Sequence, residues 1–308
     1  MARILVTGAS GLLGVNFSLF ALERGHEVIG TVNQHALKKA PFETLSVDLV
    51  RSGSIEKIVE DVRPDIILPT AAMAIIDSCD KHPDLSKRNN AEVPGDIACL
   101  SKRLGIRLVH VSTDAVFDGE TGGYTEDDLP NPLSTYASHK LAGEKAVLAL
   151  DPDAIIARVN FFGWSLTGNR SLSEWFFNNL SAKEQVNGFT DVYFCPLLVN
   201  DLACLLLKMI QKPLSGVYHV LAPAALSKYE FGVSIARQFG LDETLIKPMS
   251  WQEGGLRAAR SPNLILKVDK LCRDLGENPP IPSEGIKEFA KRWQDGYASR
   301  VRSMASSG

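Results

Sequence analysis

The chain has 308 residues, 45% hydrophobic and 22% charged, a globular balance that excludes a disordered chain and allows one large or two closely packed domains. Lys+Arg number 33 against 36 Asp+Glu, a net charge of −3, so neither nucleic acid nor a membrane surface is expected as partner. The five cysteines, Cys79, Cys99, Cys195, Cys204 and Cys272, form no C-x-x-C pair; they read as reduced thiols of an intracellular protein, and no metal site is expected.

In chain order, residues 3–7 are a buried-strand pattern and 12–24 a helix that stops at Gly25. Between them Thr7-Gly8-Ala9-Ser10-Gly11-Leu12-Leu13-Gly14 has glycines three and three apart. Gly8 suits a tight turn, Gly11 a close approach of phosphate to backbone, and Gly14 close packing of helix on sheet. The helix start adds unpaired N–H groups and a partial positive charge, so a dinucleotide pyrophosphate is expected here. A second strand, 27–32, runs into Asn33, Gln34 and His35, with Lys38 and Lys39 just beyond. No carboxylate stands where an NAD ribose would want one, and cations are at hand for a 2′-phosphate. NADP is therefore expected over NAD, and NADPH over NADH.

A third strand at 44–47, a helix at 55–62 and a fourth strand at 65–69 follow. The apolar stretch from 66 to 76 contains Pro69 and Thr70 and ends at Asp77, too short to span a bilayer. Gly8 interrupts the N-terminal apolar run before a signal-peptide core can form, so a cytoplasmic location is expected. A helix at 94–103, a strand at 107–112, a helix at 136–150 and a strand at 155–159 complete a β/α alternation. Continuous apolar strands separated by helices imply a parallel sheet covered on both faces, a doubly wound Rossmann-type α/β fold.

Tyr136 and Lys140 are four apart at the start of a helix, so both project from one face. An ammonium beside a phenol favours the phenolate and brings its pKa toward a value usable in acid–base catalysis. The preceding strand ends in Ser112-Thr113-Asp114, presenting hydroxyls at the carboxyl edge of the sheet, where ligands of such folds bind. After 159 the rhythm changes: aromatics and asparagines crowd 160–194, with a helix at 201–211 and a strand at 217–221. Ser227 and Glu230 have capping-box spacing at the head of a helix ending near Phe239, and a Pro-rich stretch at 278–282 precedes a last helix. The expected division is a dinucleotide-binding domain, 1–160 plus about 196–222, and a smaller C-terminal α/β substrate-binding domain, 161–195 and 223–308.

The glycine turn, Ser112-Thr113-Asp114-Ala115-Val116-Phe117-Asp118-Gly119 and Tyr136-Ala137-Ser138-His139-Lys140-Leu141-Ala142-Gly143-Glu144 resemble the extended short-chain dehydrogenase/reductases. Within them the chain is similar to the dTDP-4-dehydrorhamnose reductase branch, which also holds the regulatory β subunit of methionine adenosyltransferase. The resemblance covers nearly the whole chain. It implies that Thr113 holds a substrate carbonyl, Tyr136 protonates it and Lys140 supports Tyr136 and a cofactor ribose. It also implies that Asp48 and Leu49 lie near adenine, Ala71 and Ala72 near the ribose, and Asn90 in the cofactor set. Thr113, Asp114, Asn160 and Arg260 are the implied substrate contacts. Asn90 equally reads as a helix cap and Arg158 as a structural ion-pair partner; Ser261 interrupts the usual Arg-Pro after Arg260. The branch usually has Tyr at Ala115, Gly at Ala137, Thr or Ser at His139 and Trp at Phe161, so the pocket differs while the proton-transfer set is intact. The expected activity is NADPH-dependent reduction of a nucleotide-activated 4-keto-deoxysugar, with a homodimer allowed. A non-catalytic regulatory subunit and a sugar-nucleotide epimerase are the alternatives.

Overall fold

The computed structural model describes residues 1–254 and 261–305. Its centre is a seven-stranded sheet whose pairings are all parallel. From one edge the strands run β3 (Glu43–Ser46), β2 (Glu27–Val32), β1 (Arg3–Thr7), β4 (Ile66–Pro69), β5 (Arg107–Thr113) and β6 (Ile155–Val159), closed by an edge strand, Gly216–Val220. The order reverses direction between β1 and β4. The carboxyl ends of those two strands therefore part around a crevice, the place where such sheets bind ligands.

Alternation along each strand divides the apolar residues between two faces. Ile4 and Val6 of β1, Ile66 and Leu68 of β4 and Ile155, Ala157 and Val159 of β6 join Phe17 and Leu19 of helix α1 (Leu12–Glu23) and Leu202, Leu205 and Leu206 of Val199–Ile210. Leu5, Ile67, Leu108 and Ile156 point the other way, against Ile55 and Ile58 of α2 (Ser54–Val62), Ile97 and Leu100 of the helix Val93–Leu104, and Val147 of Thr135–Leu150. The sheet is covered on both sides, as its unbroken apolar strands require.

Between β4 and β5 lie three short elements that periodicity did not announce: helices Ile76–Lys81 and Pro83–Lys87, split at His82-Pro83, and a π-turn at Arg88–Glu92. Each is too short for an apolar stripe to repeat. Beyond β6 a second cluster gathers Phe162, Trp164, Phe176, Phe194, Phe231 and Phe289; Trp164 stacks on Phe289 with centroids 4.0 Å apart. The expected capping box at Ser227 and Glu230 is formed, and a second one joins Ser171 to Glu174. The last part of the chain, expected wholly in the smaller domain, returns to the sheet. Leu271, Leu275, Val301 and Met304 pack in the core beneath α1, and Tyr297 Oη donates to Asn16 Oδ1 at 2.7 Å across 281 residues of chain. Among the described residues no helix is long and apolar enough to cross a membrane.

Candidate active site

β1 delivers the chain into Gly8, whose φ of +67° lies in the left-handed region open to glycine. A Cβ there would stand 2.7 Å from the Ala71 nitrogen, and at Gly14 it would stand 2.3 Å from the Gly8 carbonyl oxygen. Strand, turn, helix and the β4 exit are thus in backbone contact. Gly11 caps α1 with no side-chain cap and no acidic residue in the first turn, leaving the positive helix end uncompensated. The Thr70 hydroxyl donates to the Thr7 carbonyl at 2.6 Å and Ala9 N–H to the Thr31 carbonyl at 2.9 Å, so the turn is held from both neighbouring strands. Gly11 is exposed, Ser10 and Leu12 are half-buried and Leu13 is in the core. The cradle fits a pyrophosphate: small, N–H-rich, and filled wherever a side chain is added.

Asn33, His35, Lys38 and Lys39 form an exposed loop beyond β2. Its position is set by the C-terminus, for Lys38 N–H donates to the Met304 carbonyl at 2.8 Å and Leu37 bridges to Ala305. Asp48 turns the chain after β3 by accepting from Val50 N–H at 3.3 Å, with Leu49 buried beside it. Ala71 and Ala72 lie at the β4 exit, half-buried and exposed. Asn90 is fully buried and its amide is committed: Nδ2 donates to the Met73 carbonyl at 2.9 Å and Oδ1 accepts from Met73 N–H at 3.1 Å. It is not a helix cap. It fastens the segment that carries Ala71 and Ala72.

Thr113 ends β5, and Tyr136 and Lys140 rise from the first turns of the helix Thr135–Leu150, capped by Ser134 accepting from Ala137 N–H at 3.2 Å. Thr113 lies beside the Tyr136 phenol, close enough to lower its pKa, and its Oγ1 accepts from Ala115 N–H at 3.2 Å. Lys140 is buried and its Nζ donates to the Val111 carbonyl at 2.6 Å. The phenol pKa stands above its ordinary value, the reverse of the net lowering expected. Burial pushes Tyr136 up to about 12, with Thr113 opposing and the nearby Asp114 and Cys79 adding to it. Burial also brings Lys140 down to about 8, opposed by Glu144. A buried ammonium first satisfies itself on a backbone carbonyl, and the phenol keeps its proton at neutral pH. In that form its hydroxyl has a proton to give.

Asp114 is buried beside them, and burial raises its pKa. Asn160 Nδ2 donates to its Oδ2 at 2.6 Å and Thr113 Oγ1 to its Oδ1 at 3.2 Å. Asn160, expected to meet substrate, thus already has a partner at the same edge. Arg158 takes the structural alternative: it is buried and its Nη2 lies 2.8 Å from Glu144 Oε2. Arg260 falls outside the described residues. Three neighbours had no sequence signal as site residues. Cys79 lies close enough to raise the Tyr136 pKa, and Cys195, pushed up to about 11 by burial, lies close to Asp114. Lys228, whose ammonium stands 3.2 Å from the Phe194 ring centre, lowers the Asp114 pKa. The capping box located Lys228 at a helix start, but nothing in its own segment aimed that helix at β5. Among the described residues no group of three His, Cys, Asp or Glu is arranged to hold a metal.

A doubly wound parallel sheet with a glycine cradle at its switch point and Thr113, Tyr136 and Lys140 at its carboxyl edge defines a Rossmann-type protein of the short-chain dehydrogenase/reductase class. The chain belongs to the RmlD substrate binding domain family, which it matches over residues 2–294. It is 31% identical over 300 residues to the probable low-salt glycan biosynthesis reductase Agl14 of Haloferax volcanii, covering 96% of this chain and 99% of that one. It is 30% identical to the methionine adenosyltransferase 2 subunit beta of Mus musculus, covering 95% and 90%. Among solved structures it is similar to the dTDP-4-dehydrorhamnose reductase of Bacillus anthracis, in complex with NADP, with TM-score 0.83 and 27% identity over 94% of this chain and 98% of that one.

Proposed function

We propose that the chain is an NADP-dependent reductase of a nucleotide-activated 4-keto sugar, in which Thr113, Tyr136 and Lys140 move the proton. The observation that carries this reading is a protonated phenol beside Thr113 and one helical turn from a buried lysine, at the same sheet edge as a glycine cradle shaped for pyrophosphate. The absence of a carboxylate at the end of β2, the lysines just beyond it and the NADP complex of the Bacillus anthracis reductase support the 2′-phosphorylated cofactor. Gly8, Ser10, Gly11 and Gly14 would hold its pyrophosphate, with Asn33 and His35 at the 2′-phosphate, Asp48 and Leu49 at the adenine, and Ala71 and Ala72 at the ribose. The bound cofactor supplies a hydride to the ketone carbon.

The chain supplies the rest. Thr113 fixes the carbonyl oxygen beside the phenol. A phenol with a pKa near 12 holds its proton until negative charge develops on that oxygen and then releases it, so ketone plus hydride plus proton gives the alcohol. Lys140, from one helical turn below, stabilises the phenolate left behind. Asp114 and Asn160 form the adjoining wall, and residues 161–195 and 223–308 are read as the part that recognises the sugar nucleotide. Ala115 and Phe161 widen and reshape that wall relative to the rhamnose branch, so a different 4-keto sugar is the expected substrate. The same reading places the enzyme in the cytoplasm.

The test is a panel of dTDP-, UDP-, GDP- and CDP-linked 4-keto sugars followed by NADPH absorbance. One or more should be reduced, dTDP-4-dehydrorhamnose poorly, and Tyr136→Phe should lower turnover by about 10²-fold or more while NADPH still binds. Near-wild-type turnover in Tyr136→Phe overturns the proton donor. No reduction of any sugar, together with binding to a methionine adenosyltransferase catalytic subunit, favours a regulatory role instead.

A further inference from the structure

Beneath the catalytic turn lies an ion pair that the proton-transfer steps do not use. Glu144 is four residues beyond Lys140 on the same buried helix face. Its carboxylate is clamped: Ser112 Oγ donates to Oε1 at 2.5 Å, Arg158 Nε to Oε1 at 3.0 Å and Arg158 Nη2 to Oε2 at 2.8 Å. Arg158 is itself fixed, with its guanidinium 5.1 Å from the Phe117 ring centre and Nη1 3.5 Å from His219 Nε2. The other nitrogen of that imidazole, Nδ1, lies 3.0 Å from the Lys267 carbonyl. The network therefore joins β5, the catalytic helix, β6 and the edge strand, and the side chains of the pair are only 4% and 3% exposed.

Stability alone is a poor reason for such a pair, because apolar residues of similar volume often serve a core as well or better. Its place is informative: the carboxylate that Arg158 holds also accepts from Ser112, next to Thr113, and belongs to a residue one helical turn from Lys140. We propose that Glu144 is a positioning residue for proton transfer, whose clamped carboxylate keeps Lys140 in its ammonium form while Arg158 limits that pull. The proposal rests on the reading of Lys140 as part of the proton-transfer set.

The groups around Lys140 agree with this. From β5 comes His110, fully buried, with neither ring nitrogen partnered and with its pKa held far down by burial and by Lys140. The catalytic helix contributes Tyr136 and Glu144, β6 contributes Arg158 and the edge strand His219. Cys79 and Asp114 lie on the side of the phenol. Asp114 is already bonded by Asn160 and Thr113, so Glu144 is the carboxylate that opposes the desolvation of Lys140 from within its own helix.

The test uses the full chain with lysines labelled at 13Cε, the Lys140 resonance being assigned by its loss in Lys140→Arg. Glu144→Gln should lower the titration midpoint of Lys140 by about one pH unit or more, the scale of a unit charge one helical turn away at an effective dielectric of about 20. Arg158→Gln should raise it. With a reducible sugar from the panel, the alkaline limb of kcat/KM should move in the same two directions, since the ammonium form is the active one. If Glu144→Gln does not fold, as judged by circular dichroism, Arg158→Gln and the charge-neutral Glu144→Gln/Arg158→Gln double variant carry the test, the double variant having the lower midpoint of the two. Midpoints that stay in place, or that move in the same direction in both single variants, overturn the proposal. Opposite shifts alongside an active Tyr136→Phe would leave it standing and overturn the catalytic assignment instead.

Discussion

At Gly14 one missing carbon decides whether the cofactor turn can exist. Alanine is the better helix former by about 1 kcal/mol, yet its Cβ would meet the Gly8 carbonyl oxygen at 2.3 Å, a backbone atom that cannot rotate away. Gly14→Ala should therefore cost about 1–3 kcal/mol of stability, as overpacked sites do, and raise the Kd for NADPH at least about tenfold, because the shifted turn spoils the N–H array at the helix start. Gly25→Ala is the control. Its φ is +82° and nothing lies within 4 Å of an added Cβ, so it should cost about 1 kcal/mol through backbone strain alone and leave NADPH affinity unchanged; calorimetric titration and urea denaturation read both. The glycine spacing and the Tyr136/Lys140 interval were legible because each is local, a turn or one helical period. The direction of the Lys140 ammonium was not, since it depends on Val111, which a strand delivers from 29 residues away. The bonds of Asn90 were illegible for the same reason: its partner, Met73, is on another element.

At the scale of elements, the C-terminal helix Tyr297–Arg302 acts as a strap. It joins α1 through Tyr297 and through Arg300, which lies 2.8 Å from Glu23, and then feeds Met304 to the loop beyond β2. Met304→Ala should lose about 2–5 kcal/mol, the usual cost of truncating a buried methionine. Deleting residues 297–308 should free that loop and weaken NADPH more than NADH, because only the former carries a phosphate there. Equal weakening of both would mean that the strap holds the core without shaping the loop. The expected strands and the longer helices are present with ends shifted by a residue or two, since a sheet covered on both faces imposes continuous apolar runs on its strands and apolar stripes on the helices that cover it. The return of the C-terminus to α1 had no sequence signal. Its residues form an ordinary solvated helix until Asn16 is placed opposite Tyr297.

Across the whole molecule, two buried histidines set an acid limit. Burial and Arg158 hold His219 at about 3, and His110 is depressed in the same direction. Below about pH 6.5 the unfolded chain takes up protons at these positions and the folded one does not, so stability falls with pH by about 1.4 kcal/mol per unit for each histidine. Above that pH the contribution is complete. Asp201, raised to about 6 by burial, and Asp114, raised likewise, act with the opposite sign and offset part of the loss in more acidic solution. Thermal unfolding between pH 7 and 5 should show Tm falling on acidification, and His219→Gln should flatten that slope; an unchanged slope would assign the acid sensitivity elsewhere.

The bond from Tyr297 to Asn16 spans 281 residues, and that distance has a meaning in time. On a ribosome adding about 5–20 residues per second, tens of seconds separate the synthesis of the first helix from that of the residues that lock it. For that interval the glycine turn, β1 and α1 exist beside an unfinished core, with the apolar positions later covered by Leu271, Val301 and Met304 open to any other chain nearby. The strand, turn and helix of the glycine cradle are thus made long before the bond that fastens them.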